Sequence, residues 1–266
     1  MSSEFSNNLR DSGDFIQSLE RGLIVIQAFS EEFPELTVSQ AATITGLSRP
    51  TVRRLLLTLE ALGFAESKNG IFSLTARTLS LGYAYLSSQN LWNLATPFMR
   101  EFTEKTGESC SISVLEGTDI VYVARVQANR IMRINLNIGS RLPAYATSLG
   151  HILLAHLPED ELDERLQTID FNSFTQNTIV DLESLKQELR NVKQRGWAGV
   201  DQQLEEGLRS VAVPIITNGR VTASINCSAH AGRVSKEELR ETFLPILQDT
   251  SRQISKAFIT SLSTTD

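Results

Sequence analysis

Cysteine and histidine are scarce in this 266-residue chain, with two of the first and three of the second. Cys110 and Cys227 stand far apart, which gives neither a disulfide framework nor a metal-ligand spacing, and both are expected to be buried apolar groups. His151, His156 and His230 pair with no second histidine, cysteine or carboxylate at a ligand spacing, so no metal site is expected. Long apolar runs are also missing. Ile152 to Ala155 is far shorter than the roughly 18–20 residues that span a bilayer. The stretch Met1 to Asp14 is polar and acidic without an apolar centre, so no secretory signal and a cytoplasmic location are expected. The glycines are scattered in turns, and no nucleophile elbow, phosphate-binding loop or zinc-peptidase motif occurs. Catalysis and a cofactor are therefore not expected.

What the chain does have is an ordinary globular composition, 41% apolar, long enough for one or two domains with sizeable cores. Its net charge of −6 argues at first against nucleic acid, but the charge is unevenly spread. Between Leu36 and Gly82, Arg49, Arg53, Arg54, Lys68 and Arg77 face only Glu60 and Glu66, whereas the preceding residues are strongly acidic. A mildly basic segment within an acidic protein would bind DNA non-specifically only weakly, and with salt sensitivity.

That basic segment has the pattern of a helix-turn-helix. Thr37 is placed to cap a first helix with Val38, Ala41, Ala42 and Ile44 on one apolar face, and Gly46 ends it. Ser48 is placed to cap a second helix, with Pro50 in its first turn and Gly63 at its end. Helical spacing puts Val52, Leu55, Leu56, Leu59 and Leu62 on a side that must be buried. The opposite side carries Arg54, flanked by Arg53 and Thr58, with Arg49 and Thr51 in the first turn. Arginines and hydroxyls there suit a helix in a DNA major groove, where Arg bridges guanine O6 and N7 and Thr meets a thymine methyl. The pattern alone equally fits a helical hairpin with solvated arginines. Two short alternating runs around Lys68-Asn69-Gly70 come directly after the second helix. They predict a β-hairpin, and hence a winged helix with Lys68 at its tip.

Residues 1–13 read as a disordered polar tail. Asp14 is placed to cap a first helix with a stripe of Ile16, Leu19, Leu23 and Ile26, and Glu31 to Glu35 reads as a loop. The DNA-binding domain is thus expected over residues 14–74. A linker helix over residues 75–90 has Leu79, Tyr83 and Leu86 on one face, with no flexible Pro/Gly run to absorb a movement. Residues 91–262 then read as mixed α/β. Expected are a helix from Leu91 to Thr106 with Pro97 as start or kink, strands from Ser109 to Glu116 and Ile120 to Val126, and a third strand from Arg130 to Asn137. Helices follow near Ser148, after Pro158 and from Leu182 to Arg195, and then a hairpin from Arg209 to Ser228 turns on Asn218-Gly219. Ser235 to Glu238 reads as a capping box for a long final helix. The second domain is therefore α+β.

The stretches SLERGLIVIQAF, LSRPTVRRLLLTLEALGF, FSLTARTLSLGYAYLSS and LPAYATSLGHILLAHL resemble the IclR family of bacterial transcriptional regulators, in order and spacing, from Phe15 to about Thr260. Within it the chain is most similar to the branch controlling protocatechuate, 4-hydroxybenzoate and β-ketoadipate catabolism. The resemblance implies a two-domain protein, a winged helix-turn-helix followed by a GAF-like effector-binding domain. It also implies that the first helix helps to pair DNA-binding domains. A basic residue is common in the family where this chain has His151, so the histidine is a departure.

Two features of the second domain point to an acid ligand. A loop delivering Thr147 as a helix cap leaves the amides of Ser148 and Leu149 outward, a site for a carboxylate. Strand alternation puts Asn226 and Ser228 on one face. The resemblance places the effector between these, giving Leu142, Tyr145, Thr147, Ser148 and Leu149 on one side and Asp201, Ser210, Asn226 and Ser228 on the other. A hydroxylated aromatic acid would set its ring against Tyr145 and Leu142 and give a phenolic hydrogen to Asp201, while Arg133 and Arg141 are candidates for its carboxylate. The chain is thus read as a homodimer or dimer of dimers binding an inverted-repeat DNA operator through Thr37, Ser48, Arg49, Thr51, Arg53, Arg54, Thr58 and Lys68. Its rivals are a regulator sensing a short keto acid, and an enzyme or small-molecule carrier using the winged helix for protein contacts.

Overall fold

A computed structural model describes residues 9–10, 12–88, 91–128 and 136–263. The chain divides into two compact units, residues 1–88 and 89–266.

The described residues of the first unit form four helices and a small sheet. Helix α1, Gln17–Gln27, begins with Ile16 at its N-cap and no side-chain cap, so Asp14 does not take the role expected of it. Val25 is its buried residue, while Ile16, Leu19 and Leu23 remain exposed at 64%, 60% and 47%. The apolar stripe is real, but this unit does not cover it. Part of the tail is ordered: Leu9 and Arg10 lie in a helical turn, and Arg10 pairs with Glu20 at 3.1 Å; residues 1–8 and 11 lie outside the described residues.

Strand β1, Glu35–Thr37, replaces part of the expected loop and pairs with the wing, giving a three-stranded antiparallel sheet of order β1-β3-β2. Thr37 then caps α2, Val38–Thr45, in a reciprocal capping box with Gln40. Gly46, at φ +68°, ends α2, and Ser48 caps α3, Arg49–Ala61, by accepting from the Thr51 amide. Val52, Leu56 and Leu59 are buried with Ala41, Ala42 and Phe72 in the core of this unit. Ile44 and Leu62 are exposed instead, Leu62 because it falls at the helix C-cap, where it leaves the buried stripe.

Strands β2, Ala65–Lys68, and β3, Ile71–Leu74, turn on Asn69 and Gly70, both at positive φ as a two-residue hairpin turn requires. A 3-10 turn, Ala76–Thr78, leads into α4, Leu79–Ser88. Thr75 and Thr78 donate to the carbonyls of Gly63 and Phe64 at 2.6 and 3.0 Å, and Arg77 lies over the Phe64 ring. The base of α4 is thereby tied to the end of α3.

The second unit is a six-stranded antiparallel sheet of order β6-β5-β4-β9-β8-β7 with helices on both faces. Its elements are α5, Leu91–Thr106, β4, Ser109–Glu116, β5, Asp119–Val126, β6, Arg141–Pro143, α6, Ser148–Ala155, α7, Glu159–Leu166, and α8, Leu182–Arg195. They continue as β7, Ala198–Asp201, β8, Leu208–Thr217, β9, Arg220–His230, α9, Lys236–Glu238, and α10, Leu244–Ser263. Pro97 lies inside α5, and Gly107, at φ +66°, follows its end. Helices α5 and α10 cover one face of the sheet and α6 the other.

Three expectations change in this unit. The strand expected at Arg130 to Asn137 lies mostly outside the described residues, Leu136 and Asn137 are not strand, and the partner of β5 is β6. Ser235 does cap α9, but a π turn, Leu239–Phe243, separates it from α10, so the final helix is interrupted. Cys110 and Cys227 are buried, and they stand opposite one another on β4 and β9, where burial pushes both thiols up. Among the described residues no helix is long and apolar enough to cross a membrane.

Candidate nucleic-acid interface and ligand pocket

In the first unit the caps of α3 and the pairing of its wing fix which side chains face outward. Arg49, Arg53, Arg54 and Thr58 are exposed on α3, and Lys68 is exposed on the wing. None of these four cations makes an ion pair among the described residues. Glu60, an acid of the same helix, accepts a 2.6 Å hydrogen bond from Ser67 and so tethers the wing to α3. The polar face therefore carries exposed cations that make no ion pair among the described residues, as a phosphate-facing and base-reading helix requires.

The hydroxyls expected beside those cations are less free. Thr37 donates to the Gln40 side chain, and Ser48 meets the Thr51 hydroxyl at 2.8 Å and accepts from the Thr51 amide, so both hydroxyls set the helices in place. Thr58 donates to the Arg54 carbonyl at 2.8 Å, which leaves its methyl group outward.

In the second unit a cavity of about 350 Å³ opens between the sheet and the start of α6. Leu142, Thr147, Ser148, Ser210, Asn226 and Ser228 line it, six of the nine side chains expected there. The strand registers show why they meet: Ser210 lies opposite both Ser228 and Val200, and Asn226 lies opposite Ser111. Ser148 and Ser210 share a 2.8 Å hydrogen bond, and the Asn226 amide nitrogen donates to Ser228 at 2.9 Å. Thr147 caps α6 by accepting from the Gly150 amide at 3.0 Å.

Tyr145, Leu149 and Asp201 stand elsewhere. Tyr145 is buried against Phe171 and Phe174, and its hydroxyl is spent on the backbone of Asn172. Leu149 is turned into the core, and its carbonyl accepts from Ser224. Asp201 follows Val200 on β7, so alternation turns it to the other face of the sheet. There it is paired with Arg209 at 2.7 Å and Lys236 at 2.8 Å; burial raises its pKa, but those two hydrogen bonds outweigh burial and hold it below the usual carboxylate range. It belongs to a separate cavity shared with Arg195, Trp197 and Arg240. Arg141 is likewise committed, to Glu116 and Asp119, and Arg133 lies outside the described residues.

The cation that does line the ligand cavity is Arg125, which escapes a reading by simple alternation. Tyr122 and Arg125 are an odd number of positions apart and would point to opposite faces of a regular strand. The irregularity in the β4–β5 register places Tyr122 opposite Ser113 and Arg125 opposite Ser111, so both face the cavity. Burial lowers the pKa of Arg125 and raises that of Tyr122 to about 12, with the charge of Arg125 partly offsetting the latter.

A helix-turn-helix with a cationic outer face, followed by an α+β unit whose largely apolar pocket carries a cation and several hydroxyls, defines an effector-responsive DNA-binding regulator. The chain belongs to the IclR family of bacterial transcriptional regulators: residues 18–68 match the IclR helix-turn-helix domain, and residues 83–256 match the bacterial transcriptional regulator IclR C-terminal domain. It is 45% identical to the Pca regulon regulatory protein of Pseudomonas putida, over 91% of this chain and 84% of that one. The crystal structure of a transcriptional regulator from Rhodococcus sp. RHA1 has a TM-score of 0.83 and 45% identity, covering 93% of this chain and all of that one. The inducer-binding domain of the PobR transcription factor from Acinetobacter, a double mutant held with 3-hydroxybenzoic acid, has a TM-score of 0.59 and 30% identity over 62% of this chain and 97% of that one.

Proposed function

We propose that this protein controls genes of aromatic catabolism in response to a small aromatic or related catabolic acid bound in the second unit. The observation that carries this reading is the cavity that sets Arg125 beside Asn226, Ser228 and Ser210, a cation within a hydroxyl- and amide-bearing wall. The hydroxybenzoic acid held by the PobR domain supports it, as does the regulon of the Pseudomonas relative. The DNA contacts are Arg49, Thr51, Arg53, Arg54, Thr58 and Lys68. They act from a homodimer or dimer of dimers on an inverted-repeat operator in the cytoplasm. The exposed apolar residues of α1, and Leu79 and Tyr83 of α4, are the surfaces that a second copy would cover.

The protein is not an enzyme on this reading. The relatives from Pseudomonas putida and Acinetobacter baylyi, named as regulators and as an activator, support it. Residues 75–90, with one glycine and no proline, carry the effector signal between the units. A thermal-shift series with 4-hydroxybenzoate, 3-hydroxybenzoate, protocatechuate, β-ketoadipate and pyruvate tests the ligand class. A true effector at a hundred times its dissociation constant stabilises by about 2.7 kcal/mol. A shift with pyruvate alone would assign the cavity to short keto acids and refute the aromatic reading.

A further inference from the structure

Helix α3 buries Val52, Leu56 and Leu59, and its opposite side is therefore an outer crown. Arg53 and Arg54 stand on the two flanks of that crown, exposed and without an ion pair among the described residues. Leu57 lies between them. It follows Arg53 by four residues and Arg54 by three, which sets it roughly 40° and 60° round the helix from each. Its side chain is 39% exposed, and its neighbours along the crown, Ala61 one turn on and Pro50 two turns back, are exposed as well. The crown is thus a short apolar ridge edged by two long cationic side chains.

An exposed leucine by itself signifies little, because more than half of a protein surface is apolar. Its setting decides what can cover it. An apolar partner seated on Leu57 would bury Arg53 and Arg54 unpaired, which is costly. A DNA major groove instead offers every group its counterpart, with phosphates and guanine edges for the guanidiniums and the 5-methyl of thymine for the leucine. The shape agrees with the charge. Pro50 and Ala61 project little beyond the backbone, so nothing on the ridge holds the helix away from the groove floor. The short leucine can then meet base edges that the longer arginines approach from the sides.

We infer that Leu57 is a base-reading residue, packed on the 5-methyl of one thymine in each half-site, so that an apolar contact specifies the operator together with the arginines. This rests on the reading of α3 as the DNA-reading face. The contact separates thymine from cytosine at that position, since cytosine presents a hydrogen where thymine presents the methyl.

The test starts from the duplex that the full chain enriches from a random-sequence pool. Each thymine of a half-site is replaced in turn by deoxyuridine, which removes the 5-methyl and nothing else, and affinity is measured by fluorescence anisotropy at one salt concentration. One thymine is expected to respond, with binding weakened about 4-fold when one half-site is altered and about 15-fold when both are, as the loss of one buried methyl in each requires. Leu57→Ala should keep the helix, because the side chain is exposed and alanine is the stronger helix former, and should bind the thymine and deoxyuridine duplexes alike. Leu57→Met should retain a preference for the methyl. Leu57→Gln, of similar length but polar, gives the same comparison should Leu57→Ala fail to fold. If no thymine responds, or if Leu57→Ala responds as the unaltered protein does, the inference is overturned while α3 stands as the reading face. If the pool yields no enriched duplex, the reading of α3 falls and the inference with it.

Discussion

Within α6, His151 sits where a charge has no room. It is fully buried, its Nε2 is 2.6 Å from the Tyr145 carbonyl, and its Nδ1 has no partner among the described residues. Burial pushes its pKa below the ordinary imidazole value, against the opposing pull of the Tyr145 carbonyl. The unfolded chain therefore takes up a proton before the native one does, so stability falls as pH drops below about 6.5 toward the native value. Denaturant unfolding at pH 7 and pH 5 should show a loss that His151→Gln, whose amide keeps a donor for Tyr145, does not show; equal losses in both proteins would contradict this. At the same scale, Arg125 and Asp201 explain what a sequence hides. The first is turned into the cavity by a strand irregularity, and the second is turned out of it by the alternation that brings Val200 in. Neither placement follows from residue type, because both depend on register across strands.

At the scale of elements, α6 depends on a close approach that only glycine permits. A Cβ on Gly150 would lie 2.1 Å from the Ala144 carbonyl oxygen, since the 3-10 turn Ala144–Ala146 packs directly on the first turn of the helix. Both sides of that contact are backbone and cannot yield as a flexible side chain would. Gly150→Ala should therefore destabilise the second unit by about 1–3 kcal/mol or more, measured by denaturant unfolding, and should weaken effector binding because Thr147 and Ser148 move with the turn. An unchanged midpoint would refute the contact. Most elements were legible because their ends are written locally: Thr37, Ser48, Asp181 and Ser235 cap helices, Gly46 and Gly196 end them, and Asn-Gly pairs turn the β2–β3 and β8–β9 hairpins. Strands β1, β6 and β7 were not, because three or four residues at a sheet edge carry too little alternation to stand out.

At the scale of the whole molecule, an acidic chain carries a local cationic face and a separate anion-compatible pocket. That division of charge makes DNA binding dependent on specific contacts, because the net charge of −6 opposes non-specific attraction. The family was legible from short motifs that recur in order, whereas the entry of Arg125 into the cavity wall was not, because it depends on the register of the sheet. The central claim is that the outer face of α3 reads DNA. The most direct measurement is selection of duplexes from a random-sequence pool by the full chain and by Arg54→Ala. The unaltered protein should enrich an inverted repeat with half-sites about one helical turn apart or a multiple of it, and Arg54→Ala should enrich none while still binding 4-hydroxybenzoate. Enrichment of the same repeat by both proteins would contradict the account.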